Sequence, residues 1–221
     1  MIITIDGPAG TGKSTVAQEV AKRLSFDFLD TGAMYRAVGL AALRRGANLE
    51  DHRELAYIAR NAHVDFDWTK TPPCVHLGGE PVGHLVRGGE ATRAASFVAV
   101  VPAIRQQLVE QQRQIGHGRK NLVSEGRDQG SVVFPDAELK FYLDASAAER
   151  ARRRATQLRA RGEIVDMAKL QAEITARDAR DKSRHVGALV VPKGATVLDT
   201  TNVPQEQVVM QIVNRARSMM V

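Results

Sequence analysis

The sequence is poor in cysteine, in aromatic residues and in long apolar runs. Of its 221 residues only Cys74 is a cysteine, so the chain can form neither an intramolecular disulfide nor a cysteine-rich metal site. We therefore expect a cytoplasmic protein. No apolar run reaches the length of about eighteen residues that spans a membrane, and no basic segment precedes an apolar stretch at the start, so we expect no membrane partner and no secretory signal. Aromatic residues make up 5% of the chain and no nucleic-acid-binding motif is present, so we expect no nucleic-acid partner.

Positive charge is in excess, and it is concentrated in two segments. Lys and Arg total 31 against 25 Asp and Glu, which gives a formal net charge of +6. The basic residues cluster in "ERARRRATQLRARGE" (149–163) and in "ARDARDKSR" (176–184). Such clusters indicate an anionic ligand.

Apolar runs alternate with helical patterns along most of the chain. Residues 2–5 predict a buried strand, and Val16, Val20 and Leu24 recur at helical spacing within a predicted helix over 13–24. The sequence predicts a second helix over 32–46. Further strands are predicted over 26–30, 121–125, 139–145 and 196–200. This alternation predicts an α/β fold with a parallel sheet flanked by helices.

Two segments interrupt the alternation. Residues 64–90 contain short alternating runs and a Gly-Gly turn signal, which predicts a small antiparallel insertion. A helical pattern over 90–115 passes through Pro102, which should kink or split it. Residues 146–184 predict an arginine-rich helix pair.

The segment "GPAGTGKST" (7–15) fills the pattern G-x-x-x-x-G-K-[ST] with Gly7, Gly12, Lys13 and Ser14. The glycines let backbone N–H groups point at phosphate oxygens, and the following helix adds its positive N-terminus. Lys13 is placed to reach the outer phosphates and Ser14 to ligate Mg²⁺. The sequence therefore predicts binding of ATP or GTP, and a glycine turn with a solvated lysine is the alternative.

Three further segments carry basic residues that suit a second phosphate. "LDTGAMYRA" (29–37) opens the second helix, and "EGRDQGSVVFPDA" (125–137) follows a predicted strand. In "RDARDKSR" the residues Arg177, Asp181 and Arg184 fall at i, i+4 and i+7, which predicts that all three share one helix face. Surface ion pairing is the alternative for each arginine taken singly.

In this order, the segments "GPAGTGKST", "LDTGAMYRA", "SEGRDQGSVVFPDAELKFYLDAS" and "ITARDARDKSR" resemble the bacterial cytidylate kinases over nearly the whole chain. The segment "GRDQGSVVFPDA" is much more specific to this family than the phosphate loop is. The resemblance implies a P-loop nucleoside monophosphate kinase that transfers the γ-phosphate of ATP to CMP or dCMP with Mg²⁺. It also implies a monomer. Its parts would be a core (1–30, 101–148 and 166–221), a nucleoside-monophosphate-binding insertion (31–100) and a helical lid (149–165).

The resemblance assigns site residues by motif. The catalytic residues are Lys13, Arg127 and Arg154. The ATP-binding residues are Gly7, Pro8, Ala9, Gly10, Thr11, Gly12, Lys13, Ser14, Thr15, Arg150, Arg153 and Arg154, with Arg161 as a further lid arginine. The CMP-binding residues are Thr31, Tyr35, Arg36, Ser96, Arg105, Arg127, Asp128, Arg177, Asp181 and Arg184. Ser14 would ligate Mg²⁺, with Asp30 or Glu125 acting through water.

Within this assignment Arg36, Arg127 and Arg184 would hold the CMP phosphate, and Asp128 would accept a hydrogen bond from the cytosine amine, which uracil lacks. The sequence departs from the family pattern in three places. The insertion reads "GGEPVGHLVRGGEATRAAS" (78–96) in place of an isoleucine-arginine-threonine-proline-glutamate-like run, Gln129 replaces an apolar residue, and "GALVVPKGA" (187–195) lacks a proline before Leu189. An adenylate or uridylate kinase is the alternative enzyme. A nucleotide-gated nucleic-acid-binding protein is the alternative from another class, and it predicts steeply salt-dependent binding.

Overall fold

The computed structural model describes residues 1–160 and 162–220, which form two compact units. The first unit comprises Met1–Asp27 and Asn121–Val221, and the second comprises Phe28–Lys120. Arg161, predicted as a lid arginine, lies outside the described residues.

Strands and helices follow one another in a mixed order. The strands are β1 (Ile2–Asp6), β2 (Asp27–Asp30), β3 (Val64–Asp67), β4 (Cys74–Leu77), β5 (Glu80–Pro81), β6 (Leu122–Glu125), β7 (Leu139–Asp144) and β8 (Thr196–Asp199). The helices are α1 (Lys13–Leu24), α2 (Thr31–Arg44), α3 (His52–Arg60), α4 (Gly89–Val98), α5 (Pro102–His117), α6 (Ala147–Arg159), α7 (Met167–Lys182) and α8 (Gln205–Arg217). A 3₁₀ turn (Leu85–Arg87) and a π-helical turn (Gln129–Val133) complete the described elements.

The first unit is built on a parallel sheet in which β6, β1, β7 and β8 are neighbours in that order. Ile3 in β1 lies opposite Val123 on one side and Leu139 on the other. Ile3 and Ile5 are fully buried, and so are Thr4, which lies between them, and Asp6, which follows. A strand buried on both faces is typical of a parallel sheet covered by helices, so the predicted fold class is confirmed.

Helices cover this sheet and extend from it. Helix α1 packs against β6 and α8. Helices α6 and α7 pack on each other through Ala151, Ala155, Leu170 and Ile174, which confirms the predicted helix pair. Among the described residues, no helix has both the length and the apolar character that a membrane span requires.

The second unit combines a helical cluster with a small sheet. Helix α2 packs closely on α4 at Gly39, which has no side chain. A Cβ atom there would lie only 2.9 Å from the backbone nitrogen of Ala95. Strands β3, β4 and β5 form an antiparallel sheet, as predicted for residues 64–90. Gly78 and Gly79, which connect β4 to β5, have φ angles of 58° and 84°. Such positive angles favour glycine, which explains the Gly-Gly signal in the sequence.

Pro102 divides the helical pattern predicted over 90–115. Helix α4 ends at Val98, and Pro102 is the first residue of α5. Proline is tolerated there because the first helical N–H has no partner within the helix. The sequence did not predict α3 or α8, although Asp51 is an ordinary N-cap signal whose carboxylate accepts from the N–H groups of Arg53 and Glu54.

The boundaries of the two compact units differ from the boundaries predicted for the core, the insertion and the lid. Helix α5, assigned to the core by resemblance, packs with α2 and α3 of the second unit. The assignment of residues 31–100 to monophosphate binding and of 149–165 to a lid remains a prediction.

Candidate active site

The glycine-rich loop follows β1 directly, and its shape excludes side chains at particular positions. Gly7 has a φ of 144°, and a Cβ atom there would lie 2.0 Å from the carbonyl oxygen of Leu143. Gly12 caps α1 in the left-handed conformation with a φ of 90°. These two glycines let the loop turn sharply from the sheet into the N-terminus of α1, where an anion is stabilised.

Lys13 and Ser14 open helix α1, and both side chains turn toward the loop or the sheet. The ammonium group of Lys13 donates to the carbonyl oxygen of Pro8 at 2.7 Å. The hydroxyl of Ser14 donates to Oε1 of Glu125 at 2.6 Å, at the end of β6. The structure thus brings together the lysine and hydroxyl of the phosphate-loop pattern and the carboxylate of Glu125, the last residue of a neighbouring strand.

Lys13 is buried among basic and acidic side chains. Burial, followed by the charge of Arg127, lowers the pKa of Lys13 to about 7, against an ordinary value of 10.5. Arg177 lowers the pKa further, and Glu125 opposes the shift. An anion beside Lys13 would offset these positive charges and would restore the protonated form of the amine.

The candidate acceptor cluster consists of Arg127, Asp181 and Arg184. Nε of Arg127 donates to Oδ2 of Asp181 at 3.0 Å, and Nη2 of Arg184 donates to Oδ1 of the same carboxylate. The prediction that Arg177, Asp181 and Arg184 share one helix face is wrong for Arg184. Helix α7 ends at Lys182, so Arg184 lies beyond it and reaches Asp181 from the following segment.

The charged side chains in and around this cluster shift one another's pKa values. Burial alone would raise the pKa of Asp181, but Arg127, Arg184 and Arg177 together hold it below its ordinary value. Burial alone would likewise lower the pKa of Arg127, but Asp181 and Glu125 hold it above the ordinary value. One buried carboxylate therefore interacts with several guanidinium groups, and two of them, Arg127 and Arg184, donate to it directly.

The turn after β6 carries Asp128 and is anchored by a residue that sequence reasoning missed. Asp6, the last residue of β1, accepts from the N–H groups of Gln129 and Gly130, each at 2.8 Å. Burial raises the pKa of Asp6 to about 7. The departure at Gln129 also has a physical explanation, because its buried side chain accepts a hydrogen bond from the hydroxyl of Ser124 at 2.8 Å.

Asp128 itself is 4% exposed, and its backbone carbonyl oxygen accepts from the N–H groups of Val132 and Val133 at the start of the π-helical turn.

The only sequence signal for Asp6 is its position immediately before the first loop glycine. That position could indicate a carboxylate near the loop but could not reveal the residues that it holds.

The lid arginines of α6 differ in their surroundings. Arg150 is buried and donates to the carbonyl oxygens of Ala145 at 3.0 Å and Ala9 at 3.1 Å. Arg153 donates to the carbonyl oxygen of Thr11 at 3.3 Å and to the hydroxyl of Thr200 at 3.0 Å. Arg154 donates to Gln157 on its own helix at 3.3 Å. Arg150 and Arg153 therefore contact the phosphate loop through its backbone carbonyls.

The second unit contains the remaining predicted residues. Arg36 donates to Oδ2 of Asp30 at 2.9 Å, and Asp30 also caps α2 through the N–H of Ala33. The guanidinium of Arg105 lies over the ring of Tyr35, 5.5 Å from its centroid. Ser96 donates to the carbonyl oxygen of Thr92 at 3.4 Å, and Thr31, the first residue of α2, is 2% exposed. Arg36 with Asp30 and Arg105 with Tyr35 form two contact pairs within this unit.

Comparison with known proteins identifies the family. The model of the cytidylate kinase family, described as "Cytidylate kinase", matches residues 3–218. The chain belongs to the cytidylate kinase family. Its relatives include the cytidylate kinase of Caldanaerobacter subterraneus subsp. tengcongensis, which is 43% identical over 97% of this chain and 94% of that protein. The cytidylate kinase of Pelotomaculum thermopropionicum is 48% identical over 96% of this chain and 94% of that protein.

A solved structure shares the fold at low sequence identity. It is the crystal structure of an uncharacterized protein from Eubacterium ventriosum, with a TM-score of 0.53 and 13% identity. The alignment covers 99% of this chain and 98% of that one. At this identity the likeness concerns the fold alone.

Two further residues of this cytidylate kinase family member contact the loop and were not predicted. Asp178 lies on α7 between Arg177 and Asp181, and its Oδ1 accepts from the N–H of Ala9 at 3.4 Å. Thr200, which follows β8, donates to the carbonyl oxygen of Thr11 at 3.3 Å. The i, i+3 spacing of Asp178 and Asp181 is a usable signal for neighbouring carboxylates, whereas nothing in the sequence around Thr200 indicates its contact.

Proposed function

We propose that this chain is an ATP-dependent cytidylate kinase that transfers the γ-phosphate of ATP to CMP or dCMP. Membership of the family supports this reaction. The observation that carries the proposal in the structure is the pair of guanidinium groups, Arg127 and Arg184, that donate to Asp181, with Arg127 near enough to Lys13 for its charge to lower the lysine pKa. A phosphate loop beside a basic cluster suits a reaction in which one anionic phosphate receives the terminal phosphoryl group of another.

The donor side of the reaction is assigned to the phosphate loop and its neighbours. Backbone N–H groups of residues 7–15 would bind the triphosphate, and Lys13 would neutralise its outer oxygens. Arg150, Arg153 and Arg154 are proposed to act on the same substrate, with Arg154 close to the transferred group. Arg150 and Arg153 contact loop carbonyls in the structure, which supports a role in fixing the loop.

The acceptor side is assigned to two sets of residues. Arg36, Arg127 and Arg184 are proposed to bind the CMP phosphate. The ribose would contact Arg177 and Asp181, and the nucleoside would also contact Thr31, Tyr35, Ser96, Arg105 and Asp128. The hydrogen bonds from Arg127 and Arg184 to Asp181 support this assignment, since these guanidinium groups are held close together before substrate arrives.

Asp128 is the proposed determinant of base choice. An ionised carboxylate accepts hydrogen bonds but donates none, so it pairs with the exocyclic amine of cytosine. Uracil presents a carbonyl oxygen at that position, which would place two acceptors against each other. The protein should therefore prefer CMP to UMP.

Magnesium is the proposed cofactor, and the residues at the start of α1 fit it. The hydroxyl of Ser14 and the carboxylate of Glu125 are hard oxygen donors that lie in contact with each other. Ser14 would ligate the ion directly, and Glu125 or Asp30 would orient its water ligands. The ion supplies positive charge that stabilises the transferring phosphoryl group.

Catalysis needs no general base, because the attacking CMP oxygen is already anionic. Alignment and charge stabilisation by Lys13, Arg127 and Arg154 would lower the barrier. Residues 149–165 are proposed to act as a lid that excludes water, because water would compete with CMP for the phosphoryl group. We place this activity in a monomer in the cytoplasm.

A panel of acceptors tests the proposal. Purified protein is incubated with MgATP and one of CMP, dCMP, UMP or AMP, and the formation of ADP is followed, with a reaction lacking acceptor as the control for ATP hydrolysis. We expect kcat/KM for CMP and dCMP to exceed that for UMP and AMP by about tenfold or more. A preference for AMP or UMP would replace this function with that of an adenylate or uridylate kinase.

A further inference from the structure

The backbone of Ala9, in the phosphate loop, is held at both its N–H and its carbonyl group by one buried ion pair. Its N–H donates to Oδ1 of Asp178 at 3.4 Å, and its carbonyl oxygen accepts from Nη1 of Arg150 at 3.1 Å. The same Nη1 donates to Oδ2 of Asp178, which closes the contact. The two charged side chains belong to different helices, α6 and α7.

Burial makes this pair more than an ordinary surface contact. Arg150 and Asp178 are each 7% exposed, and Nε of Arg150 also donates to the carbonyl oxygen of Ala145 at 3.0 Å. A buried pair resists rearrangement, because separating its members would leave a charge without compensation. The loop backbone at Ala9 is therefore attached to a rigid feature.

The neighbouring residue is also fitted to this pair. A Cβ atom at Gly10 would lie 3.0 Å from Cβ of Arg150, closer than most such contacts. The loop therefore approaches the start of α6 at a position where a larger side chain would push them apart. The hydrogen bonds at Ala9 and the close approach at Gly10 together define where the loop lies.

We propose that Asp178 is a positioning residue. Together with Arg150 it holds the backbone N–H and carbonyl groups of Ala9 and sets the shape of the phosphate loop before ATP binds. This inference rests on the proposed function, because it assigns a role in binding the ATP phosphates. Asp178 touches no substrate in this role and acts through the backbone of the loop. Its loss should weaken ATP binding, because the loop N–H groups would then have to be ordered at the expense of binding energy.

Position on α7 distinguishes Asp178 from its neighbour Asp181. The two carboxylates lie three residues apart, yet Asp178 contacts the loop whereas Asp181 contacts Arg127 and Arg184. A general disturbance of α7 would affect both sets of contacts. A selective effect on ATP is therefore the result that a merely structural role would not produce.

The test compares Asp178→Asn with Asp166→Ala. Asp166 is the exposed N-cap of the same helix, and its carboxylate accepts from the N–H of Lys169, so its loss weakens α7 at a distance from the loop. Titration calorimetry with MgADP and with CMP measures the two affinities without turnover, and steady-state kinetics gives KM for ATP and CMP. We expect Asp178→Asn to weaken MgADP binding and raise KM for ATP about tenfold, with CMP values changed less than about twofold.

A double variant keeps the test decisive if Asp178→Asn does not fold. Asp178→Asn combined with Arg150→Met removes both charges, so no unpaired guanidinium stays buried. If the single variant fails to fold, the double variant is compared with Arg150→Met alone, because Arg150 is itself proposed to bind ATP. The role of Asp178 then requires that adding Asp178→Asn weakens MgADP binding further, with CMP affinity changed less than about twofold.

The outcomes separate the two proposals. Equal losses of ATP and CMP affinity, or unchanged MgADP binding, in Asp178→Asn would overturn the role of Asp178 while leaving the kinase function intact. So would a double variant that binds MgADP as well as Arg150→Met does. A lack of MgATP and MgADP binding by the unaltered chain would overturn both.

Discussion

Two carboxylates on α7 differ in how much positive charge surrounds them. Asp178 pairs with Arg150, and their remaining hydrogen bonds go to the backbone carbonyls of Ala9 and Ala145 and to the N–H of Ala9. Asp181 accepts from both Arg127 and Arg184, and Arg177 also lowers its pKa. In the first arrangement one carboxylate accepts from one guanidinium group, whereas in the second one carboxylate accepts from two.

This difference distinguishes a structural ion pair from a binding cluster. A buried pair with balanced charge and satisfied hydrogen bonds gains little from a further anion. Guanidinium groups that share one carboxylate repel one another, and an incoming phosphate reduces this repulsion. Counting arginines along α6 and α7 does not separate the two cases, because both segments are rich in arginine.

The largest expected effect comes from Lys13, the buried lysine of the phosphate-loop pattern. Lys13→Ala should lower kcat by about a thousandfold or more, because the charge facing the transferred phosphoryl group is lost. ADP formation with MgATP and CMP measures the effect. Lys22→Ala, on the exposed part of the same helix, is the matched control. Turnover within tenfold of the unaltered chain would refute the donor-site assignment.

Asp181→Asn should produce the second largest effect, and it should appear on the CMP side. Loss of the carboxylate removes the group that orients Arg127 and Arg184, and the proposed ribose contact with it. We expect kcat/KM for CMP to fall roughly a hundredfold, with KM for ATP little changed. Steady-state kinetics beside Asp178→Asn tests the comparison directly. If both variants impair the same substrate, the distinction between the two carboxylates is wrong.

Asp128→Ala should change selectivity more than it changes overall rate. Removal of the acceptor for the cytosine amine should reduce the ratio of kcat/KM for CMP over UMP by about tenfold. The ratio is measured under identical conditions for the variant and the unaltered chain. A ratio that does not move would exclude Asp128 as the base-reading residue.

The smallest expected effect is a pH dependence of nucleotide binding. The pKa of Lys13 lies near 7 in the free protein, and a bound triphosphate should raise it, so binding takes up a proton. Affinity should therefore fall as pH rises above 7, by roughly fivefold between pH 7 and pH 8.

Calorimetry of MgADP binding in buffers of different ionisation enthalpy measures this proton uptake. Lys13→Arg is the control, because a guanidinium stays charged throughout this range. Uptake that persists in the arginine variant, or that is missing in the unaltered chain, would contradict a depressed lysine pKa.

Local features of the fold were predictable from the sequence. The apolar run before Gly7 and the helical spacing after Lys13 predicted β1 and α1, and Pro102 predicted the break between α4 and α5. These features follow from side-chain periodicity and from proline geometry, which act over a few residues. Helix α3 was not predicted because it spans only 9 residues, which is too short for a clear periodic pattern, although Asp51 marks its start.

Contacts between distant residues were harder to predict. The prediction for Arg184 assumed that α7 continued past Lys182, but a residue beyond a helix end can still reach a carboxylate on its last turn. Periodicity showed which residues could share a helix face, and it could not show where the helix would end.

The sequence by itself determined the phosphate loop, the alternation that builds a parallel sheet, and the resemblance to the cytidylate kinases, because each is encoded in neighbouring residues. Only the tertiary structure decided that Asp6 holds the turn at Gln129, that Asp178 holds Ala9, and that Asp181 gathers Arg127 and Arg184. These contacts join residues far apart in the chain. Their partners are selected by burial and by the demand of each buried charge for an opposite charge or a hydrogen bond, which depend on the packed fold.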